Sequence, residues 1–569
     1  MDKRWIVKTQ GDYKLVENLA KELNINRVLA NMLVQKEITT FDQAKSFFRP
    51  SLNDLHDPFL MKGMNIAVNR LNTAIKNNEK ILIYGDYDVD GTTAVALVYS
   101  FLSKYYGNLD YYVPDRFTDG YGISYNGIDY ADEKEISLII ALDCGIKAVE
   151  KIEYAKEKNI DFIICDHHLP DEIIPDAVAV LDAKQEDCNY PYKELSGCGV
   201  GFKFMQAFSV VNNLKSTEIY DYLDLVAISI ASDIVPITGE NRVLAFYGIK
   251  NINSNPSPSI KALKEVSGIL KSEVTINDIV FKIGPRINAA GRIESARKSV
   301  DLLISKNYTD AISFAKKIDD INTQRKLIDQ DITEDALNSI ISSEELINKK
   351  TTVLYNKDWS RGVIGIVASR LTETYFRPTV ILAETENGFA SGSARSVPGF
   401  NLYDAVDSCS HLLEGFGGHM YAAGLTLKTE NIEKFTDCFD KFVSEHITED
   451  QLIPRINVDA IINLDDIDQK FFNVLKQFAP FGPGNMHPVF VARDVVDTGG
   501  SKIVGKDATH LKISVKQNDA VFNGIAFGMG DKYELIKDKK PFDLCFTIEK
   551  NEFMGRTTIQ LSVKDIKVD

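Results

Sequence analysis

The sequence predicts an α/β protein in several parts. A doubly wound, mainly parallel sheet comes first, then a long helical connector, a second α/β domain and a small C-terminal β-barrel. Three observations carry this. Apolar strand-like runs alternate with helix-like segments from 81 to about 185. The stretch from about 300 to 348 is free of Gly and Pro and rich in Ile, Leu, Asp and Lys. From about 455 onward, short strand-like segments recur between turns. At 569 residues the chain exceeds one typical domain, and about three or four are expected.

Composition narrows the class. With 44% hydrophobic and 26% charged residues, this is an ordinary globular composition. No apolar run reaches about 18 residues, and Met1–Trp5 leads into no apolar segment, so neither a membrane span nor a signal peptide is expected. Seven cysteines without a CxxC pair predict reduced thiols in a cytoplasmic protein, not disulfides or a zinc ribbon. The net charge of −16 excludes generic electrostatic attraction to nucleic acid. The substrate is therefore small, or a local basic groove acts against the global charge.

In chain order, residues 1–75 read as short helices that cap the following domain. Strands are expected at Ile81–Tyr84, Tyr111–Val113, Ser137–Leu142, Asp161–Cys165 and Ala177–Leu181, with helices such as Ala94–Tyr106 and Lys147–Lys158 between them. Three strands end alike. Ile83-Tyr84 runs into Asp86, Asp88 and Asp90, Leu142 into Asp143-Cys144-Gly145, and Cys165 into Asp166-His167-His168. Parallel strands share an end, so these groups should converge where open α/β sheets bind ligands. Asp233, where the apolar stretch Leu225–Ser232 stops, is a fourth candidate. Taken singly, Asp143 reads as an Asx-turn residue and His167-His168 as a capping pair. Together, oxygen-rich ligands with one or two imidazoles favour Mn²⁺ or Mg²⁺ over a thiolate zinc site. Such a carboxylate set suits a dinuclear metal phosphohydrolase or phosphodiesterase.

Asp86-x-Asp88-x-Asp90-Gly91, Asp143-Cys144-Gly145, Asp166-His167-His168 and Ser232-Asp233 resemble the four successive motifs of the DHH phosphoesterase superfamily. The resemblance implies Asp88 and Asp90 as a ligand pair, Asp143 as a bridge, and His167 and Asp233 completing a second ion. Asp86 is a further metal candidate, with Asp166 either a ligand or an orienting group. Asp143, His167 and His168 are the expected catalytic groups, with His168 facing the phosphate. Family II pyrophosphatases carry a histidine where Tyr84 stands, which argues against that branch.

Later segments resemble the RecJ-type exonucleases of this superfamily. Val113–Ser124 (VPDRFTDGYGIS, with Arg116) and Phe281–Arg297 (FKIGPRINAAGRIESAR, with Arg286, Asn288 and Arg292) are similar to their loop and motif beside the active site. Trp359–Arg370, Ser391–Ser396 and Gly415–Gly424 match, in order, glycine-rich loops of the DHH-associated domain. From these come Arg361, Ser393, Arg395, Gly417, Gly418 and His419 as substrate contacts; Ser360 stands where the pattern often has His. Phe481–Asn485 resembles the lead into an OB-fold. There Phe490, Lys502, Lys506, Lys512, Phe527, Phe553 and Arg556 are candidates for binding single strands.

The implied division is an N-terminal helical cap (1–75), a DHH domain (76–250), a helical connector (251–348), a DHH-associated domain (349–450) and an OB-fold (455–569). The implied activity is single-stranded-DNA-specific 5′–3′ exonuclease action releasing 5′-mononucleotides with two Mn²⁺ or Mg²⁺ ions, in DNA repair and recombination. The expected partners are single-stranded DNA, a single-strand-binding protein and a helicase, with a monomeric chain away from membranes. The alternatives are a nanoRNase or cyclic-dinucleotide phosphodiesterase, and a catalytically dead replication scaffold.

Overall fold

The structure, a computed structural model, describes residues 3–568 apart from 270–272, 386–387, 539 and 554–555; side chains at 553 and 556 are also outside the described residues. The chain divides into two compact units. One comprises 58–233 and 250–454, the other 3–57, 234–249 and 455–569.

The chain opens with β1 (Arg4–Val7) in the second unit. In the first unit, five parallel strands form one sheet: β2 (Ile81–Gly85), β3 (Leu109–Tyr112), β4 (Leu138–Leu142), β5 (Asp161–Cys165) and β6 (Ala179–Leu181), in the order β3-β2-β4-β5-β6. β2 and β4 are buried along their whole length, as their unbroken apolar runs require when helices cover both faces. The chain moves from β2 outward to β3, then crosses back to β4. The strand order therefore reverses between β2 and β4, and the crevice outside their carboxyl ends is the natural ligand position. Helix Val89–Leu102 starts there, capped by Asp88, whose side chain accepts from the Gly91 N–H.

The connector is a 34-residue helix, Tyr308–Ile341. Beyond it β7 (Thr352–Asn356), β8 (Thr379–Glu384), β9 (Phe389–Arg395), β10 (Leu413–His419) and β11 (Ala422–Lys428) form a sheet ordered β10-β11-β9-β8-β7. Two segments expected as glycine-rich loops are thus strands. Ser391–Ser396 lies largely in β9, and Gly415–Gly424 forms the β10–β11 hairpin at the sheet edge.

In the second unit β1 pairs in parallel with β12 (Arg455–Val458). β13 (Ala460–Ile461), β14 (Phe490–Asp497), β15 (Lys502–Val504), β16 (His510–Gln517), β17 (Ala520–Ala526), β18 (Phe542–Phe553) and β19 (Arg556–Lys567) form a seven-stranded sheet, and a β14–β16 pairing curls it towards a barrel. Of the segment expected to cap the DHH sheet, helix Met64–Lys76 does pack against β6, but the helices within residues 13–48 do not. Val16, Leu19, Leu29 and Leu33 share one apolar core with Phe490, Leu544 and Leu561 of the barrel. Local pattern shows that these helices are amphipathic but not which distant face covers them.

The expectation of reduced thiols is also corrected: Cys409 and Cys438 are joined as a disulfide, with Cα atoms 6.1 Å apart. Helix Ile432–His446 brings Cys438 to Cys409 beyond helix Leu402–Asp407, a tertiary contact that a 29-residue separation cannot announce. Cys144, Cys165, Cys188, Cys198 and Cys545 are free and buried. Among the described residues, no helix is long and apolar enough to cross a membrane.

Arg242 ties the second unit together. Its guanidinium lies 3.8 Å over the Phe47 ring and donates to the carbonyls of Phe47, Phe478 and Ala479. Arg242→Ala would leave the Phe47 and Ala479 carbonyls without this donor and should destabilise the unit by about 3 kcal/mol. Urea unfolding followed by Trp5 fluorescence in a Trp359→Phe background measures this, since Trp5 donates to Asp565 within the same unit at 2.8 Å.

Candidate metal centre

Asp86 and Asp143 follow β2 and β4, and Asp166-His167-His168 follows β5, so three neighbouring strands deliver them to one sheet edge. Asp233 arrives differently. The apolar stretch before it is helix Leu223–Ser232, buried through Ala231, and Asp233 is its C-cap. His167 is the hub. Its Nε2 lies 3.1 Å from Asp143 Oδ1, 3.6 Å from Asp233 Oδ2 and 3.7 Å from Asp90 Oδ2.

Each carboxylate has its own environment. Asp90 is anchored, accepting from the backbone N–H groups of Gly197 and Cys198 and from the Ser229 hydroxyl, all at 2.7 Å. That is an anion at the N-terminus of helix Gly197–Val211, where unpaired N–H groups favour negative charge. Gly197 is required, because a Cβ there would lie 2.5 Å from Asp143 Cβ. Asp143 has the left-handed φ of +60°, an uncommon geometry for a non-glycine residue. Asp86 accepts from the Gly122 N–H at 3.0 Å through Oδ1. Asp86 Oδ2, Asp143 Oδ1 and both ring nitrogens of His167 are buried without a hydrogen-bond partner.

Burial raises the Asp86 carboxyl to about 8, helped by the charge of Asp88. Asp233 is likewise raised to about 8 by burial, then by Asp90 and Asp88. Asp88 is shifted upward by burial and Asp90, and Asp143 well upward by burial and the neighbouring carboxylates. Burial also pushes His167 down towards its neutral, ligating form. Neutral imidazole and several oxygens that repel one another when ionised fit a hard divalent cation. Two triads have their ligand atoms mutually within 4.8 Å: Asp90-His167-Asp233 and Asp143-His167-His168.

Both oxygens of Asp166 are engaged within the protein. Its Oδ1 accepts from the N–H groups of His167 and His168 and contacts His168 Nδ1 at 2.7 Å, while Oδ2 accepts from Ile146 N–H. Against burial, the His168 hydrogen bond holds Asp166 down at about 2. Burial opposes the charge on His168 too, yet Asp166 raises it to about 9. Tyr84 is fully buried and donates its hydroxyl to the Gly122 carbonyl, so it serves the loop instead of a metal.

Beside the acidic cluster lies a basic one. Helix Gly284–Ile293 crosses the site so closely that a Cβ on Gly291 would lie 2.9 Å from the Tyr87 carbonyl, and one on Gly284 2.8 Å from Ser232 Oγ. Asn288 lies on the same helical face, and its Oδ1 is buried without a partner. Arg292 donates to the Gly362 carbonyl at 3.1 Å and is lowered to about 10 by burial, then by the charges of Arg116, Arg325 and Arg395. Arg116 stacks 4.3 Å over Tyr87, its Nε unpartnered. Arg395 donates to Ser393 Oγ at 3.1 Å and to the Ala394 carbonyl at 2.8 Å. None of these four arginines forms an ion pair among the described residues.

Arg286 does not join them. Its guanidinium is consumed by Asp319 at 2.8 Å and by the Lys282 and Val266 carbonyls, so it braces the connector. Arg361 is exposed 5.5 Å over the Phe117 ring, and Gly417, Gly418 and His419 are exposed on the edge strand β10. Sequence reasoning did not single out Arg325, which the sequence places within a long helix without a local motif. In the barrel, Phe490 is core and cannot stack a base. Phe527 is 63% exposed beside His510, and Lys502, Lys506 and Lys512 are exposed. The side chains of Phe553 and Arg556 lie outside the described residues.

Family models match in chain order: a DHH family N-terminal domain over 80–230, a DHHA1 domain over 348–445 and a RecJ OB domain over 458–565. The single-stranded-DNA-specific exonuclease RecJ of Bacillus subtilis (strain 168) is 35% identical over 99% of this chain and 71% of its own length. The corresponding protein of Haemophilus influenzae is 32% identical over 91% and 92%, and that of Escherichia coli (strain K12) 32% over 89% and 90%. A crystal structure of Thermus thermophilus RecJ with Mn²⁺ covers all of this chain and 80% of its own, with TM-score 0.85 at 23% identity. A manganese-bound exonuclease RecJ structure covers 70% of this chain and 97% of its own, with TM-score 0.61 at 26% identity.

A pH dependence follows from the raised carboxyls. A folded-state value of about 8 lies above the unfolded one, so the stability associated with Asp86 and Asp233 is present at low pH and lost as pH rises through about 8. The metal-free protein should therefore melt lower at pH 9 than at pH 6.5. Mn²⁺ should raise the melting temperature more at pH 9, and calorimetry in buffers of different ionisation enthalpy should show proton release on binding. A pH-independent Mn²⁺ shift would contradict this.

Proposed function

The chain belongs to the RecJ family of single-stranded-DNA-specific exonucleases, and from that premise we propose that it degrades single-stranded DNA from the 5′ end to 5′-mononucleotides. The observation that carries the site assignment is the His167 hub, with three carboxylate oxygens within 3.7 Å and partnerless donor atoms around it. Asp88, Asp90, Asp143, His167 and Asp233 would hold two divalent ions, Mn²⁺ or Mg²⁺, with the free oxygen of Asp86 beside them. When bound, such ions supply Lewis acidity to a water and to the phosphoryl oxygens.

The chain's own groups do the rest. Asp90, fixed by two backbone N–H groups and a hydroxyl, sets the geometry of the cluster. Asp166 orients His168 by holding its Nδ1 at 2.7 Å. Arg116, Arg292, Arg325 and Arg395, with Asn288, would receive phosphate oxygens, which arginine binds with two parallel N–H groups. Arg361, Ser393, Gly417, Gly418 and His419 extend this path along the DHH-associated sheet. The proposed domain limits keep 251–348 and 349–450, place 58–233 in the DHH domain and assign 3–57 and 234–249 to the same unit as the barrel.

We place the protein in the cytoplasm, in DNA repair and recombination, as a monomer working with a single-strand-binding protein and a helicase. The RecJ OB domain favours long strands over dinucleotides as substrate.

With 5′-labelled single strands and Mn²⁺, the first labelled product should be a mononucleotide, duplex should resist, and EDTA should abolish turnover. Accumulation of labelled dinucleotide would overturn the reading. Asp143→Asn should lower kcat by roughly a thousandfold or more. Arg292→Ala should instead raise KM by about tenfold or more through loss of a buried phosphate contact; steady-state kinetics on a defined oligonucleotide separates the two.

A further inference from the structure

Tyr121 has no role in the site described so far, yet it is held there from three sides. It stands between Gly120 and Gly122, both with left-handed φ (+78° and +77°), in the loop joining β3 to helix Tyr125–Glu133. The loop is bolted to the end of β2 through Gly122. Its N–H donates to Asp86 Oδ1 at 3.0 Å and its carbonyl accepts from the Tyr84 hydroxyl at 2.9 Å. Two flexible glycines around one aromatic residue, with the second glycine pinned twice, fix where the tyrosine ring points.

It points at His168. The Tyr121 hydroxyl lies 3.0 Å from His168 Nε2, and the two rings meet edge to face at 5.9 Å. The Tyr87 ring flanks Tyr121 at 6.1 Å, also edge to face. On the far side of the imidazole, Nδ1 is 2.7 Å from Asp166 Oδ1. The result is a line, Asp166–His168–Tyr121, in which both ring nitrogens are engaged and neither rotation nor ring flip leaves all contacts intact. Asp166 alone leaves the imidazole free to pivot about its Nδ1 contact; a second contact at Nε2 removes that freedom.

We propose that Tyr121 is a positioning residue for His168: its hydroxyl holds Nε2 while Asp166 holds Nδ1, so that the imidazole is fixed in one plane beside the metal centre. This rests on the reading of the site as a phosphodiesterase centre. Tyr121 is 52% exposed, so its hydroxyl is not needed to fill a core, and Tyr121→Phe removes one atom while keeping both edge-to-face contacts.

The test uses the full-length protein. Tyr121→Phe should lower kcat on a single-stranded oligonucleotide by about tenfold to a hundredfold with KM within about twofold. In a His168→Ala background the same substitution should add no further loss, because the group it positions is gone. A readout independent of turnover is the carbethoxylation of His168 in metal-free protein, followed by peptide mass spectrometry; freeing Nε2 should speed it several-fold in Tyr121→Phe. Wild-type protein without single-strand exonuclease activity would sink the parent reading. Active wild type with an unchanged kcat in Tyr121→Phe, an equal loss in the His168→Ala background, or unchanged His168 modification would overturn the positioning role.

Discussion

Mutual repulsion among buried carboxylates is the interaction on which the rest of this structure depends. Asp86, Asp88, Asp90, Asp143 and Asp233 are brought to one sheet edge, and burial adds to their repulsion by removing the water that would screen it. A fold keeps such an arrangement only if something else compensates. Part of the compensation is internal: Asp90 takes two helix N-terminal amides and a serine hydroxyl, and Asp88 caps the helix that begins beside it. The remainder is not. Asp143 Oδ1, Asp86 Oδ2 and the His167 nitrogens have no internal partner, and cations of the kind bound by the solved RecJ structures suit those unpaired atoms.

A second imbalance of opposite sign sits alongside. Arg292 is lowered by burial and then by the charges of Arg116, Arg325 and Arg395, and none of the four forms an ion pair among the described residues. In a chain of net charge −16, abundant carboxylates were available to neutralise them. On the proposed reading the compensating anion would be a phosphate, which a fork of N–H groups fits. The acidic surface and the basic interior path are then complementary. Long-range attraction to any polyanion is weak for a chain of this net charge, so on the proposed reading binding would rest on the local arginines.

The central sheet and its strand-end motifs were legible because a parallel α/β sheet writes itself locally, as continuous apolar runs that stop at a polar turn. Asp161–Cys165 is a strand with the expected bounds, and Asp86, Asp143 and His167 converge because three such strands are adjacent. Asp233 was legible only as the end of an apolar stretch, whose element type the pattern left open. An apolar run bounded by Asp does not distinguish a fully buried helix from a buried strand, since both faces of each are apolar. What failed depended on contacts far apart in sequence. The N-terminal helices share a core with the barrel, Cys409 meets Cys438 across two helices, and Arg286 is consumed by Asp319 on the connector. A cation within a basic motif looks the same in sequence whether it faces substrate or a carboxylate.

The division of labour between Arg286 and Arg292 shows how one short motif serves both ends. Helix Gly284–Ile293 can lie against the metal centre because Gly284 and Gly291 let its backbone approach Ser232 and the Tyr87 carbonyl. A helix held that close needs bracing from behind, and Arg286 supplies it by gripping Asp319 and two carbonyls of the connector. Six residues on, Arg292 emerges on the side of the arginine cluster and grips the Gly362 carbonyl of the DHH-associated part. The motif thus locks the acidic centre, the basic cluster and the second α/β part into one register. On the proposed reading, a phosphate seated on the arginines would thereby be held at a fixed offset from the carboxylates.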